Sequence, residues 1–180
     1  GWASIATGDA IIINAPIAAH GMAIMSVRSG LSFETDIVSD TFPLHQTVMQ
    51  LLDQFGSRIH FLRDATRGGL ASVVNEIATD GEHGISLFEK NIPVDTAVAA
   101  ACEMLGLDPL YVANEGVMVT LTDAAVANEV VTLLHQNGWP QATTIGQVVA
   151  DHKGQVILQS LFGGRRVVSR LPGEQLPRIC

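Results

Sequence analysis

Ile59-His60-Phe61-Leu62-Arg63-Asp64-Ala65-Thr66-Arg67-Gly68-Gly69-Leu70-Ala71-Ser72-Val73-Val74-Asn75-Glu76-Ile77 is the stretch on which the fold turns. Residues 59–62 predict a short strand. They run directly into Asp64–Gly69, whose paired glycines break it, and then Leu70, Val73, Val74 and Ile77 recur at helical spacing. Outward from this unit the pattern repeats. Upstream, residues 10–14 read as a strand and 18–28 as a helix. Asp40 and Thr41 are expected to cap a second helix with Pro43 in its first turn, carrying Leu44, Val48, Leu51, Leu52 and Phe55 on one face and ending near Gly56. Downstream, 84–88 reads as a strand, and Pro93 opens a helix with the stripe Val94, Val98, Cys102 and Leu105, so that Cys102 is expected in the core. Residues 117–121 form another strand. Asp123 caps a helix bearing Val126, Val130, Leu133 and Leu134, closed by Asn137-Gly138. Three short strands near 143–149, 155–159 and 165–168 follow, joined by turns at Lys153-Gly154 and Gly163-Gly164. The fold class is α/β (α+β), a mixed β-sheet covered by helices. Residues 1–171 are expected to form one domain and 172–180 a flexible tail.

Composition narrows the setting. With 180 residues and 47% hydrophobic content, the chain can bury roughly 70% of its unfolded surface around one core. No apolar run reaches membrane-spanning length, so a membrane is not an expected partner. A net charge of −8 with only 10 Lys and Arg leaves no basic stripe for a phosphate backbone, and nucleic acid is not expected either. Two cysteines, 102 and 180, without zinc spacing or a secretory segment, point to free thiols and to a cytoplasmic location. Gly1 is not an initiator methionine and the chain enters a buried strand almost at once. We therefore expect it to be the C-terminal portion of a longer protein.

The tail reads Pro172-Gly173-Glu174-Gln175-Leu176-Pro177-Arg178-Ile179-Cys180. Its prolines and glycine argue against helix or central strand. Extended at roughly 3.3–3.6 Å per residue, it would carry the terminal thiol about 30 Å, far enough to visit a pocket in its own body or in a partner. Cys180 thus reads either as a carried nucleophile or as an inert terminal thiol.

Three internal constellations can bear chemistry. Asp64, Arg67, Gly68 and Gly69 sit at a strand-to-helix turn, where unpaired N–H groups and the helix dipole favour an anion. Arg67 adds a bidentate phosphate donor, and Asp64 can hold a metal ion or cap the helix. The alternative is a tight turn whose glycines serve packing. Ala113-Asn114-Glu115-Gly116 leads into a strand, and partial burial would suit Glu115 to proton transfer near neutral pH; an ordinary turn glutamate is the alternative. His20-Gly21 opens the first helix, either facing a ligand or satisfied locally. The six histidines form no metal box. There is no Walker loop, dinucleotide fingerprint or serine nucleophile elbow.

Gly8-Asp9-Ala10, His20-Gly21, Ser39-Asp40, the Asp64–Gly69 turn, Ala113-Asn114-Glu115-Gly116 and the terminal Pro177-Arg178-Ile179-Cys180 together resemble the HypE family of hydrogenase expression/formation proteins, in the aminoimidazole ribonucleotide synthetase superfamily. The resemblance covers the whole chain and only that family's C-terminal domain. It implies [NiFe] hydrogenase maturation by a carbamoyl dehydratase. A partner, HypF, places a carbamoyl group on the terminal cysteine, matched by Cys180. ATP-dependent dehydration converts it to a thiocyanate, and the cyanide passes to iron on a HypC–HypD complex. Glu115 matches the family's catalytic glutamate, while Asp64, Arg67, Gly68 and Gly69 would flank the nucleotide or the entering tail. ATP and Mg2+ would be bound mostly by an N-terminal domain that has no counterpart here and that supplies the main homodimer interface, so this chain alone is expected to be inactive. Two rival readings are a partner-docking module without catalysis of its own, and a purine-biosynthetic or selenophosphate-synthesising relative, which would not need the terminal cysteine.

Overall fold

The computed structural model describes residues 1–29 and 37–170. The expected tail, with Cys180, lies outside the described residues. Among the described residues seven segments are strands: Ala10–Ile13 (β1), Ile59–Asp64 (β2), Gly84–Phe88 (β3), Met118–Thr122 (β4), Thr143–Val149 (β5), Val156–Gln159 (β6) and Arg165–Val167 (β7). Five α-helices accompany them there: Ala19–Ser29 (α1), His45–Phe55 (α2), Gly69–Asp80 (α3), Thr96–Leu105 (α4) and Ala127–Gln136 (α5). The strands form a single sheet in the order β2-β4-β1-β5-β3-β6-β7. Neighbours are antiparallel except β3 and β6, which run parallel, so the sheet is mixed, as the sequence predicts.

The reason for a layered fold is visible in β1, where all four residues are buried. Because side chains alternate across a strand, Ile11 and Ile13 enter one core and Ala10 and Ile12 the other. The first core lies against α3, through Leu70, Val73, Val74 and Ile77; the second lies against α2 and α5, through Leu51, Phe55, Val130 and Leu134. Each fully buried isoleucine contributes about 1.5–3 kcal/mol relative to exposure, which is why a central strand of this kind needs cover on both faces. A third cluster joins α1 to α4 through Ala18, Met22, Val98 and Cys102 and is closed by Val112.

Local expectations are corrected at three elements. The second helix begins at His45 and not at Asp40/Thr41, and its N-cap residue, Leu44, offers no side-chain cap. Asp40 is drawn away by a long-range contact described below. On that helix Thr47 takes the buried place expected of Leu52, which is 41% exposed; the Thr47 hydroxyl accepts from Trp139 Nε1 at 3.1 Å, so the polar group is satisfied. The fourth helix starts at Thr96 after Asp95, three residues beyond Pro93, and Leu105 leaves the buried stripe. Cys102 does sit in the core, at 1% exposure. Burial, with the nearby Asp108 charge, pushes its thiol up to about 11. Finally, β2 continues past Leu62 to Asp64, because its ladder with β4 continues to the pair Asp64 and Met118.

Candidate functional site

The site is built where the end of β2 meets the start of β4. After Asp64 the chain turns, Gly68 is left-handed (φ 72°) and α3 begins at Gly69 (φ 64°). A Cβ on Gly69 would lie 2.5 Å from the Val112 carbonyl oxygen and 2.6 Å from that of Leu110. No side chain fits there, so the glycines let the turn press on the 110–112 backbone. The contact is reinforced from both sides: Ala65 N–H donates to Val117 O (2.9 Å) and Asn114 N–H to Thr66 O (3.4 Å).

Asn114 is fully buried and holds three segments together. Its Oδ1 accepts from Ala18 N–H at 2.7 Å, and its Nδ2 donates to Ala65 O at 2.7 Å and to Val112 O at 3.3 Å. Asn14 does the same one step further on, donating to Gly116 O (2.9 Å) and accepting from Met118 N–H (2.7 Å). Buried amides that use both ends fix the backbone around them. Between these anchors, the Asp40 carboxylate accepts from Glu115 N–H (3.2 and 3.3 Å to its two oxygens) and Gly116 N–H (3.2 Å). A Cβ on Gly116 would come within 1.9 Å of the Asp40 carbonyl oxygen, so this approach also requires glycine.

The effect of this scaffolding is to fix Glu115 on the wall of a cavity of about 390 Å³, shared with Arg63, Asp64, Thr66, Arg67, Ser72 and Glu76. Asp64, Arg67 and Glu115, from two constellations far apart in sequence, are thereby brought together. Gly68 and Gly69 shape the turn and do not line the cavity. Arg63 is engaged by Glu76 at 3.1 Å, whereas Arg67 is exposed and makes no ion pair among the described residues. Among the described residues no three His, Cys, Asp or Glu side chains stand close enough to hold a metal ion.

His20 is both locally satisfied and turned to the site. Its Nδ1 lies 2.9 Å from Ser39 Oγ, and its Nε2 lies 3.9 Å from Glu115 Oε1. Ser39 Oγ in turn is 2.7 Å from Thr41 Oγ1 and accepts from Thr41 N–H at 3.2 Å. Sequence reasoning leaves His20 open as a ligand-facing residue and includes Asn114 only as part of the Glu115 constellation, and it places neither Ser39 nor Asp40 at the site, although each falls within a motif that carries the family resemblance.

The chain matches the AIR synthase related protein, C-terminal domain, over residues 6–159. It belongs to that family. Among its relatives is the carbamoyl dehydratase HypE of Bradyrhizobium diazoefficiens, 47% identical over 174 residues, which cover 96% of this chain and 50% of the relative. Two solved structures align closely with this member of the AIR synthase related family. One is the hydrogenase maturation protein HypE in complex with ATP (TM-score 0.93, 39% identity, 100% of this chain and 55% of that one). The other is HypE within a HypE-HypF complex (TM-score 0.87, 36% identity, 92% and 54%). The chain spans about half the length of the curated relatives it matches. No helix among the described residues is long and apolar enough to cross a membrane.

Proposed function

We propose that this chain is the C-terminal half of a carbamoyl dehydratase of [NiFe] hydrogenase maturation, with Cys180 as the group carrier and Glu115 as the base. HypF would load the carbamoyl group, and a HypC–HypD complex would receive the cyanide. The observation that carries this reading is the placement of Glu115. Two buried asparagines, the Asp40 carboxylate and a glycine contact fix its backbone on the wall of the cavity that also holds Arg67. An ordinary turn glutamate needs no such support.

The chemistry asks for this arrangement. An amide oxygen is a poor leaving group, and ATP supplies the phosphoryl group with which it departs. The residues fit the phosphate end of such a ligand: Arg67 carries a guanidinium without an ion pair among the described residues, Thr66 and Ser72 contribute hydroxyls, and α3 starts at the cavity edge. They do not fit a metal cage, and no step here is assigned to Mg2+. Glu115 removes a proton from the carbamoyl nitrogen as the C–O bond breaks, and its fixed backbone limits where the carboxylate can go. Asp64 stands beside the phosphate-binding turn and Gly68 and Gly69 set its shape.

The test is Glu115→Gln in the full-length protein. The variant keeps size and hydrogen bonding, so carbamoyl loading and folding are expected to persist while thiocyanate formation falls by about 10²–10⁴-fold, the scale of losing a general base. Turnover near that of the wild type would return Glu115 to a structural role.

A further inference from the structure

β6 and β7 enclose the turn Ser160-Leu161-Phe162-Gly163, a few residues before the tail. Gly163 is left-handed (φ 83°) and donates its N–H to Ser160 O at 3.1 Å, while Ser160 N–H donates to Gly164 O at 2.8 Å. A turn of this kind accepts most residues at its two central positions, and polar ones are the usual choice facing water. Here they are leucine and phenylalanine. Both are exposed, Phe162 at 99%. The tip is held in place, because Leu161 N–H donates to Glu89 Oε2 at 2.9 Å.

β7 is an outer strand of the sheet, and all three of its residues are exposed. Its hydrogen bonds to β6 fall at alternate pairs, bracketed by the Ser160–Gly164 bond at the turn and by Val168 N–H to Val156 O at 2.9 Å. That phase turns the backbone N–H and C=O of Arg165 and Val167 outward, where no described strand pairs with them. Residues 155–170 contain three arginines and no Asp or Glu, in a chain of net charge −8. Arg166 is held by Asp108 at 2.6 Å, whereas Arg165 and Arg170 are exposed and make no ion pair among the described residues. The base of the tail is fixed to the body: Asn75 Nδ2 donates to Val168 O and the Tyr111 hydroxyl to Ser169 O, each at 2.9 Å. Residue 1 sits at the opposite edge of the sheet, where its ammonium donates to His60 O at 2.7 Å and Trp2 packs on Phe61. At about 4.8 Å per strand spacing the two edges lie about 29 Å apart, so on the dehydratase reading the preceding half enters the fold far from the hairpin.

Residues 171–180 follow, and even fully extended they span at most roughly 35 Å. A protein that works on Cys180 in its own active site therefore holds that site within about 35 Å of Arg170, beside the hairpin. The donor of the carbamoyl group meets a bare thiol, with nothing on the sulfur to tell it from any other, and must draw its selectivity from the protein around the tail. The acceptor of the cyanide meets a thiocyanate, which is already distinctive. We propose that the β6–β7 hairpin is the docking surface for the carbamoyl-donating protein, which seats Leu161 and Phe162 in an apolar pocket and sets carboxylates against Arg165 and Arg170. The outward groups of Arg165 and Val167 offer a short edge to an acidic strand of that partner. With the base of the tail fixed beside the docked surface, the thiol reaches the donor's site as a tethered group at raised effective concentration.

This inference rests on the dehydratase reading, and one experiment separates the two. Full-length wild type, Phe162→Ala and Arg165→Glu are compared as carbamoyl acceptors with HypF, carbamoyl phosphate and ATP, and a synthetic peptide of residues 171–180 is loaded alongside. Both substitutions are at exposed positions, so the variants are expected to fold. Each should raise the acceptor KM about tenfold, the scale of losing an interface anchor, while kcat stays within about twofold. Added salt should raise the wild-type KM and narrow the gap to Arg165→Glu. The peptide, which lacks the hairpin, should load only at high concentration. Wild-type KM in both variants, or a peptide that loads as well as the full-length protein, overturns the docking surface. So does normal loading with slowed cyanide transfer to HypC–HypD, which would give the hairpin to the acceptor, and so does slowed dehydration of preloaded variants, which would give it to the protein's own other half. A wild-type protein that HypF does not load at all overturns the dehydratase reading itself.

Discussion

Asn114→Asp is the most informative single-atom change in this structure, because it alters hydrogen bonding at a fully buried position without altering volume. The carboxylate keeps the acceptor for Ala18 N–H. It turns the Nδ2 donor into a second acceptor facing the carbonyls of Ala65 (2.7 Å) and Val112 (3.3 Å). Two donated bonds vanish, and two buried carbonyls lose a partner and meet a negative charge. At about 1–3 kcal/mol for each buried group left unsatisfied, the loss at pH 7 should be roughly 3 kcal/mol or more. That is a large share of the 5–15 kcal/mol typical of a domain, so the variant should still fold but unfold at markedly lower urea. The sign of the pH dependence follows. Burial without a cation raises the new carboxyl's folded pKa above its unfolded value of about 3.9. The variant therefore regains stability relative to wild type as pH falls through that raised value, where the protonated group can donate once. Urea unfolding followed by circular dichroism, wild type against variant from about pH 4.5 to 8, checks both statements. A loss below about 1 kcal/mol at pH 7, or a loss that does not shrink on acidification, would refute the view that Asn114 pins the site through its amide.

Thr120→Val should be neutral or stabilising by about 1 kcal/mol in the same assay, since the buried Thr120 hydroxyl has no hydrogen-bond partner among the described residues and valine has its shape. Gly116→Ala should do the opposite: its Cβ would sit 1.9 Å from the Asp40 carbonyl oxygen, so the Asp40 clamp must open. Dehydration in the full-length protein should fall with it, while carbamoyl loading persists. A thiol reagent should modify Cys180 quickly and Cys102 slowly, because Cys102 is 1% exposed and its thiol is pushed up to about 11. The stability advantage of wild type over Cys102→Ala, about 1–2 kcal/mol near neutrality, should narrow as pH climbs from 9 through 11: the unfolded thiol ionises first, and a raised folded pKa means stability lost on the alkaline side. The chain alone should bind ATP weakly, and calorimetric binding tighter than about 10 μM, roughly −7 kcal/mol, would place the nucleotide site within this half.

What the sequence made legible was local. The apolar spacing of Leu70, Val73, Val74 and Ile77, the glycine pair before it, and the short strands with their turns depend on neighbours a few residues away, and each appears in the structure near its expected place. The misread features depend on partners far off in the chain. Asp40 carries the signature of a helix cap, but its carboxylate meets two N–H groups 75 and 76 residues downstream, and nothing in the local pattern marks that preference. Thr47 reads as a polar surface residue until Trp139 provides its hydrogen bond across 92 residues. His20 shows the same limit: its spacing left open whether it faces a site or satisfies itself locally, and only the packing of α1 against the 112–115 segment reveals that it does both. Asp64, Arg67 and Glu115 were recognisable as separate candidates. Their meeting in one cavity required the β2–β4 pairing, a contact between strands more than fifty residues apart.

The most direct measurement of the central claim is the mass of the terminal peptide. The full-length protein is incubated with HypF, carbamoyl phosphate and ATP, digested with trypsin, and the fragment ending Ile179-Cys180 is followed in time. The account predicts a gain of one carbamoyl group on that fragment, followed by loss of one water that depends on Glu115. A carbamoyl group found on any other peptide, or a loaded tail that never loses water in the wild type, would contradict it.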